Sequence, residues 1–187
     1  GARRLGPRHW THDGPGRVPV NHISVKLTSL CHRFHPQYWD FALRDSAEKL
    51  VQLGRLARDL TNGGAPTFVN IDREENAVYD LTDQVMFEAF GRPEFDGFSE
   101  FGTVITANRL KAREQLQGIL DWAARHGKHP QIRLVKGAMV LYDRVEAEMH
   151  GWSDPTQPTP GATDAIFEEL ALTLLSSTDK VRVAFGT

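Results

Sequence analysis

Two textures alternate along the chain. Short runs rich in Val and Ile, bounded by turn residues or polar caps, occupy Asn21–Leu30 (NHISVKLTSL), Pro66–Asp72 (PTFVNID), Gly102–Asn108 (GTVITAN), Gln131–Gly137 (QIRLVKG) and Val181–Thr187 (VRVAFGT). Such runs predict β-strands. Between them, apolar residues recur at three- and four-residue steps: Phe41, Leu43, Ala47, Leu50, Val51, Leu53, Leu56 and Leu60 fall on one face of a helix spanning Tyr38 to Leu60. Asp80–Phe90, Asn108–Gly127 and Thr163–Ser177 repeat the pattern, with Asp80 and Thr163 as the expected N-caps.

Strands joined by long helical connections favour a parallel sheet, because parallel neighbours need a crossover that a hairpin cannot supply. No Gly-rich dinucleotide fingerprint follows any strand, which removes the main support for a Rossmann fold. The expected fold class is α/β, a partial (βα)8 TIM-like barrel with about five consecutive parallel strands and intervening helices. It is expected over residues 20–187, truncated at both ends, and residues 1–19, rich in Gly, Pro, Arg and His, are expected to form a loop or disordered leader.

In such barrels the chemistry sits at the C-terminal strand ends, and here those ends carry Lys26, Asp72, Thr106, Arg133, Lys136 and Thr187. An unpaired charge in a buried strand costs several kcal/mol, of the order known for ions in proteins, so these groups are expected to converge on something charged. For Lys26 the alternative is a side chain that snorkels to water. Asp72 has the alternative of capping the next turn, and Glu74 and Glu75 are expected in a solvated first helical turn. Alternation sends Arg133 and Val135 to one face and Leu134 and Lys136 to the other, so both cations face the same way only if the strand ends at Lys136. Gly137 permits the necessary bend. A salt bridge between Arg133 and Asp72 is the competing role for both.

Composition adds mainly exclusions. A chain of 187 residues with 40% hydrophobic and 25% charged residues is an ordinary globular one. A net charge of −2 gives no field favouring nucleic acid or an anionic membrane, so any anion binding is local. The single Cys31 rules out an internal disulfide and is expected to be a small buried apolar group. No run approaches the ~20 apolar residues of a membrane span, which makes the cytoplasm the expected location. His9 and His12 are expected to be solvated loop histidines, and no metal site is expected.

Six segments in order, ISVKLTSL (Ile23–Leu30), VNIDREE (Val69–Glu75), RLVKGA (Arg133–Ala138), VEAEMHGW (Val145–Trp152), TDAIFEELALTLL (Thr163–Leu175) and VRVAFGT, resemble the FAD-dependent proline dehydrogenases, in particular the domain found in bacterial bifunctional proline utilization A enzymes. The resemblance runs from about Val20 to Thr187. It implies a distorted (βα)8 barrel with noncovalent FAD over the strand ends and oxidation of L-proline to Δ1-pyrroline-5-carboxylate. By the same resemblance Asp72 and Arg133 are catalytic, Lys26 and Ala138 contact substrate, and Thr106, Arg133, Val135, Lys136, Gly137 and Thr187 contact the cofactor. Arg133 would stabilise negative charge developing on the flavin, and Asp72, between Lys26 and Arg133, would keep both cations paired.

The resemblance further implies a quinone acceptor at the inner membrane for the intact parent, peripheral attachment there, and a fused or associated pyrroline-5-carboxylate dehydrogenase. The chain departs from the family where a Gln and a Tyr usually stand, with Thr106 and Asn108, and where an aromatic residue follows RLVKGA, with Met139. Those departures, and the absence of the family's later strands and paired arginines, motivate a rival: a noncatalytic barrel remnant with a structural or interaction role. A barrel lyase using Lys26 as a Schiff-base amine is a third alternative. The 187 residues alone are expected to be inactive.

Overall fold

A computed structural model describes residues 19–186, and the fold within them is one parallel sheet flanked by helices. The strands are β1 (Asn21–Val25), β2 (Thr67–Ile71), β3 (Phe101–Thr106), β4 (Gln131–Val135) and β5 (Arg182–Gly186), hydrogen-bonded in sequence order. All four pairings are parallel, and β1 and β5 form the two open edges. The helices are α1 (Leu27–Leu30), α2 (Trp39–Asn62), α3 (Tyr79–Phe90), α4 (Ala112–His126), α5 (Val140–His150) and α6 (Pro160–Leu175). The expected α/β architecture of five consecutive parallel strands is therefore present. The leader with His9 and His12, and the strand-terminal Thr187, lie outside the described residues.

Period-two alternation divides the sheet. Val69 and Ile71, Phe101 and Ile105, and Ile132 and Leu134 enter a single core with the helices, joined by Leu50 and Val51 of α2, Leu81 and Val85 of α3, Leu116 and Ile119 of α4, and Leu170 and Leu174 of α6. The opposite face carries Ser24, Asn70, Gly102 with Val104 and Thr106, Arg133 with Val135, and Ala184 with Gly186, and the register sets these side by side: Ser24 against Asn70, Val104 against Arg133, Val135 against Gly186. Gly102 has no freedom to be larger, since a Cβ there would overlap the carbonyl oxygen of Gln131 and come within 2.9 Å of Phe68 Cζ.

Several boundaries differ from expectation. The first strand ends at Val25 and not at Leu30: Lys26 is the N-cap of α1, and Leu27 turns fully into the core. Glu74 and Glu75 precede the helix rather than opening it; both Glu74 oxygens accept from Thr28, at 2.5 Å from its hydroxyl and 3.1 Å from its amide. A 3-10 turn over Asn76–Val78 then leads into α3, where Asp80 is a first-turn acid and not the cap. α6 starts earlier, capped by Thr159, whose hydroxyl accepts from the amide of Ala162, with Pro160 in the first turn. α5 was not expected at all. Its apolar Leu141, Val145 and Met149 are exposed, and it buries Asp143 and Ala147 instead.

Candidate active site

At the C-terminal end of the sheet a cavity of about 400 Å³ is lined by Lys26, Asp72, Arg73, Tyr79, Val104, Thr106, Arg133, Val135, Lys136, Gly137, Ala138 and Gly186. Eight of the nine residues singled out from sequence meet there; Thr187 is the ninth. What brings them together is the parallel register, which brings the C-terminal ends of adjacent strands to one rim.

Arg133 is the centre of the charge arrangement. It sits on the non-core face of β4, and its guanidinium donates to Asp72 Oδ1 at 3.3 Å while Asn70 Nδ2 donates to the same oxygen at 2.7 Å. The pairing considered as an alternative to ligand binding thus exists inside the cavity. It leaves Arg133 Nε buried with no hydrogen-bond partner among the described residues. Asp72 does not bridge both cations as the sequence implied: its side-chain partners are Arg133 and Asn70, and Lys26 reaches the cavity as an exposed side chain from the cap of α1.

Lys136 follows the end of β4, as the bend at Gly137 requires. Its ammonium is drawn outward to Asp164 Oδ1 at 2.7 Å, so at this site it lines the cavity while its charge is balanced elsewhere. The backbone there is tightly placed. Asn108 N donates to Lys136 O at 2.8 Å, and a Cβ on Gly137 would lie 2.7 Å from Asn108 Cγ. Only glycine lets the turn rest on Asn108. Met139 beyond it adopts φ 60° and caps α5, a left-handed conformation that is uncommon for a residue bearing a Cβ.

Arg73 and Tyr79 of this wall, and Arg109 packed against Tyr79 outside it, escaped sequence reasoning. Arg73 is buried, with Nε donating to Val104 O at 2.8 Å, a terminal nitrogen to Tyr79 O at 3.0 Å, and the other to Asp83 in an ion pair. Its guanidinium lies 5.1 Å from the Tyr79 ring centroid, and that of Arg109 lies 4.5 Å from the same ring. Arg109 is paired with Asp143 at 2.5 Å. Burial pushes the carboxyls of Asp83 and Asp143 above the ordinary carboxylate range, and the partner guanidiniums oppose that rise. The phenol of Tyr79 meets Thr106 Oγ1 at 3.3 Å. Position gave one clue: Arg73 directly follows Asp72.

The family model for proline dehydrogenase matches residues 3–187. The bifunctional protein PutA of Escherichia coli K12 is 28% identical over 177 residues, which cover 94% of this chain and 13% of that protein. PutA of Klebsiella aerogenes is 29% identical over 181 residues with the same coverage. Among solved structures, proline utilization A from Bdellovibrio bacteriovorus inactivated by N-propargylglycine superposes with a TM-score of 0.82 at 32% identity, covering 88% of this chain and 17% of that one. The corresponding protein from Corynebacterium freiburgense gives 0.81 at 30% identity, over 88% and 17%. The chain thus spans only a small part of each relative's length. With a match across almost its whole length, the chain belongs to the proline dehydrogenase family.

Proposed function

We propose that this chain forms the substrate-oxidising centre of its protein, which converts L-proline to Δ1-pyrroline-5-carboxylate with FAD bound at the cavity of Arg133 and Asp72. The observation that carries this is the meeting of polar side chains from separate strand ends in one cavity, with Arg133 Nε buried and unpartnered among the described residues. An unmade hydrogen bond of a charged donor costs more than a neutral one, so the donor fits an acceptor atom on a bound ring. Val104 and Val135 supply an apolar wall beside it.

FAD, when bound, supplies the two-electron acceptor for a hydride. Arg133, Val135, Gly137, Thr106 and the stem of Lys136 would hold it, and Asp72 fixes the Arg133 guanidinium in place. Lys26, free of ion pairing among the described residues and facing the same cavity, is suited to the carboxylate of a small amino acid. The electron acceptor is proposed to be a quinone, reached from the cytoplasmic face of a membrane that no described helix is long and apolar enough to cross. The product's consumer is proposed to be a pyrroline-5-carboxylate dehydrogenase, in keeping with the bifunctional relatives. We further propose that the five strands are part of a larger barrel whose wall continues beyond β1 and β5.

A noncatalytic remnant gives no role to the convergence of Lys26, Asp72 and Arg133 on one cavity. The test is flavin absorbance of the purified natural full-length protein together with proline-dependent dye reduction. Copurifying or titratable FAD and proline-dependent turnover are expected; FAD binding without any proline-dependent reduction would overturn the oxidation, and no FAD binding would overturn the cofactor.

A further inference from the structure

Tyr79 is held more firmly than a wall residue needs. Its ring packs against two buried guanidiniums, at 5.1 and 4.5 Å from the ring centroid, each paired with a buried carboxylate, Asp83 for Arg73 and Asp143 for Arg109. Its main-chain carbonyl is held as well, by Arg73. Burying two ion pairs around one aromatic ring costs desolvation that well-packed apolar residues would avoid. These contacts hold a cavity-lining residue whose phenol oxygen is buried 3.3 Å from Thr106 Oγ1.

Among the described residues, Tyr79 is the sole side-chain or backbone partner of the Thr106 hydroxyl. A phenol, with a pKa near 10, is a better donor than an aliphatic alcohol. The pair therefore has a preferred direction: Tyr79 donates, Thr106 accepts, and the Thr106 proton is left to point elsewhere. Thr106 stands on the same face of β3 as Val104, beside Val135 of β4, and lines the cavity.

We propose that Tyr79 is a positioning residue, acting through Thr106 to aim the threonine hydroxyl as a donor at a bound flavin ring. This rests on the cofactor site proposed above. The outer member of the pair belongs to a different element, α3. A donor fixed against the ring favours the reduced, more electron-rich form, so the relay raises the bound flavin's reduction potential.

The experiment compares Tyr79→Phe, Thr106→Val, the double variant and Thr106→Ser in the natural full-length protein. Phenylalanine keeps the ring against both guanidiniums and removes only the oxygen. FAD affinity is read by quenching of flavin fluorescence on adding apoprotein, and the visible band and potential of the bound flavin are read alongside. Tyr79→Phe is expected to weaken FAD binding about 3- to 10-fold, the range for one hydrogen bond, and to lower the potential. Thr106→Val is expected to do the same, the double variant no more than Thr106→Val alone, and Thr106→Ser to retain wild-type values. A Tyr79→Phe protein indistinguishable from wild type overturns the relay, as does a Tyr79→Phe effect that persists undiminished beside Thr106→Val. If the wild type takes up no FAD, the cofactor site itself falls and the relay with it.

Discussion

Arg73→Met removes the guanidinium while keeping most of the side-chain length, and its cost can be worked from the contacts. Arg73 and Asp83 side chains are only 2% and 11% exposed. Removing one partner of such a pair strands the other, at about 3–5 kcal/mol. The carbonyls of Val104 and Tyr79 lose a donor too, which keeps the estimate from falling below that range. Hydrogen exchange read by mass spectrometry on peptides covering residues 73–83 and 101–106 isolates this region at any chain length. With tenfold per ~1.4 kcal/mol, exchange in both peptides should accelerate by about 100- to 4,000-fold. Arg73→Met combined with Asp83→Leu leaves no stranded charge and should return to within about tenfold of wild type. If the single variant exchanges within about threefold of wild type, the pair is not what holds α3 to the sheet, and the hold on Tyr79 loses its foundation.

Two other perturbations test packing and charge. Gly102→Ala should give insoluble or strongly destabilised protein, because the added methyl overlaps main chain of β4 that no rotamer change can move; Gly118→Ala, in the open on α4 with nothing within 4 Å, should instead stabilise by roughly 0.5–1 kcal/mol in thermal melts. The Asp154 carboxyl is held below its ordinary value by hydrogen bonds from the Thr156 hydroxyl and amide and by Arg144. Its folded value is therefore below the unfolded one, so its contribution is whole above the unfolded value of 3.8 and disappears as pH falls through the folded value. Asp154→Asn should flatten that acid limb in melting temperatures taken from pH 6 down to pH 3, by less than about 1 kcal/mol since both partners are half-exposed; an unchanged limb would contradict the assignment.

The strands and the longer helices were legible because their burial follows apolar period, as Val69 and Ile71 or Leu50 and Val51 illustrate. α5 was not, since the face it buries is Asp143 and Ala147, and a carboxylate that earns its place by pairing with Arg109 carries no hydrophobic signal. The overrun of β1 has a similar cause: LTSL is as apolar as a strand, and only the turn of Leu27 into the core distinguishes it. The start of α6 was in plain view in Thr159-Pro160, a cap followed by the residue best suited to a first turn, but the apolar pattern begins later. At the site, strand-end charges could be read from their interruption of apolar runs. The Arg73–Tyr79–Arg109 cluster could not, because its three members come from a loop, a helix and a second loop, and meet only in the folded chain.

Each of β2 to β5 lies beside the strand synthesised just before it. As the polypeptide leaves the ribosome, each of these four strands finds a hydrogen-bonding neighbour already made. Loop closures stay as short as the crossover helices allow, which keeps the entropic toll of assembly low for an all-parallel arrangement. Growth can thus proceed by accretion from the N-terminal side, each added strand covering the edge left by the one before while the outer edge of β1 stays open.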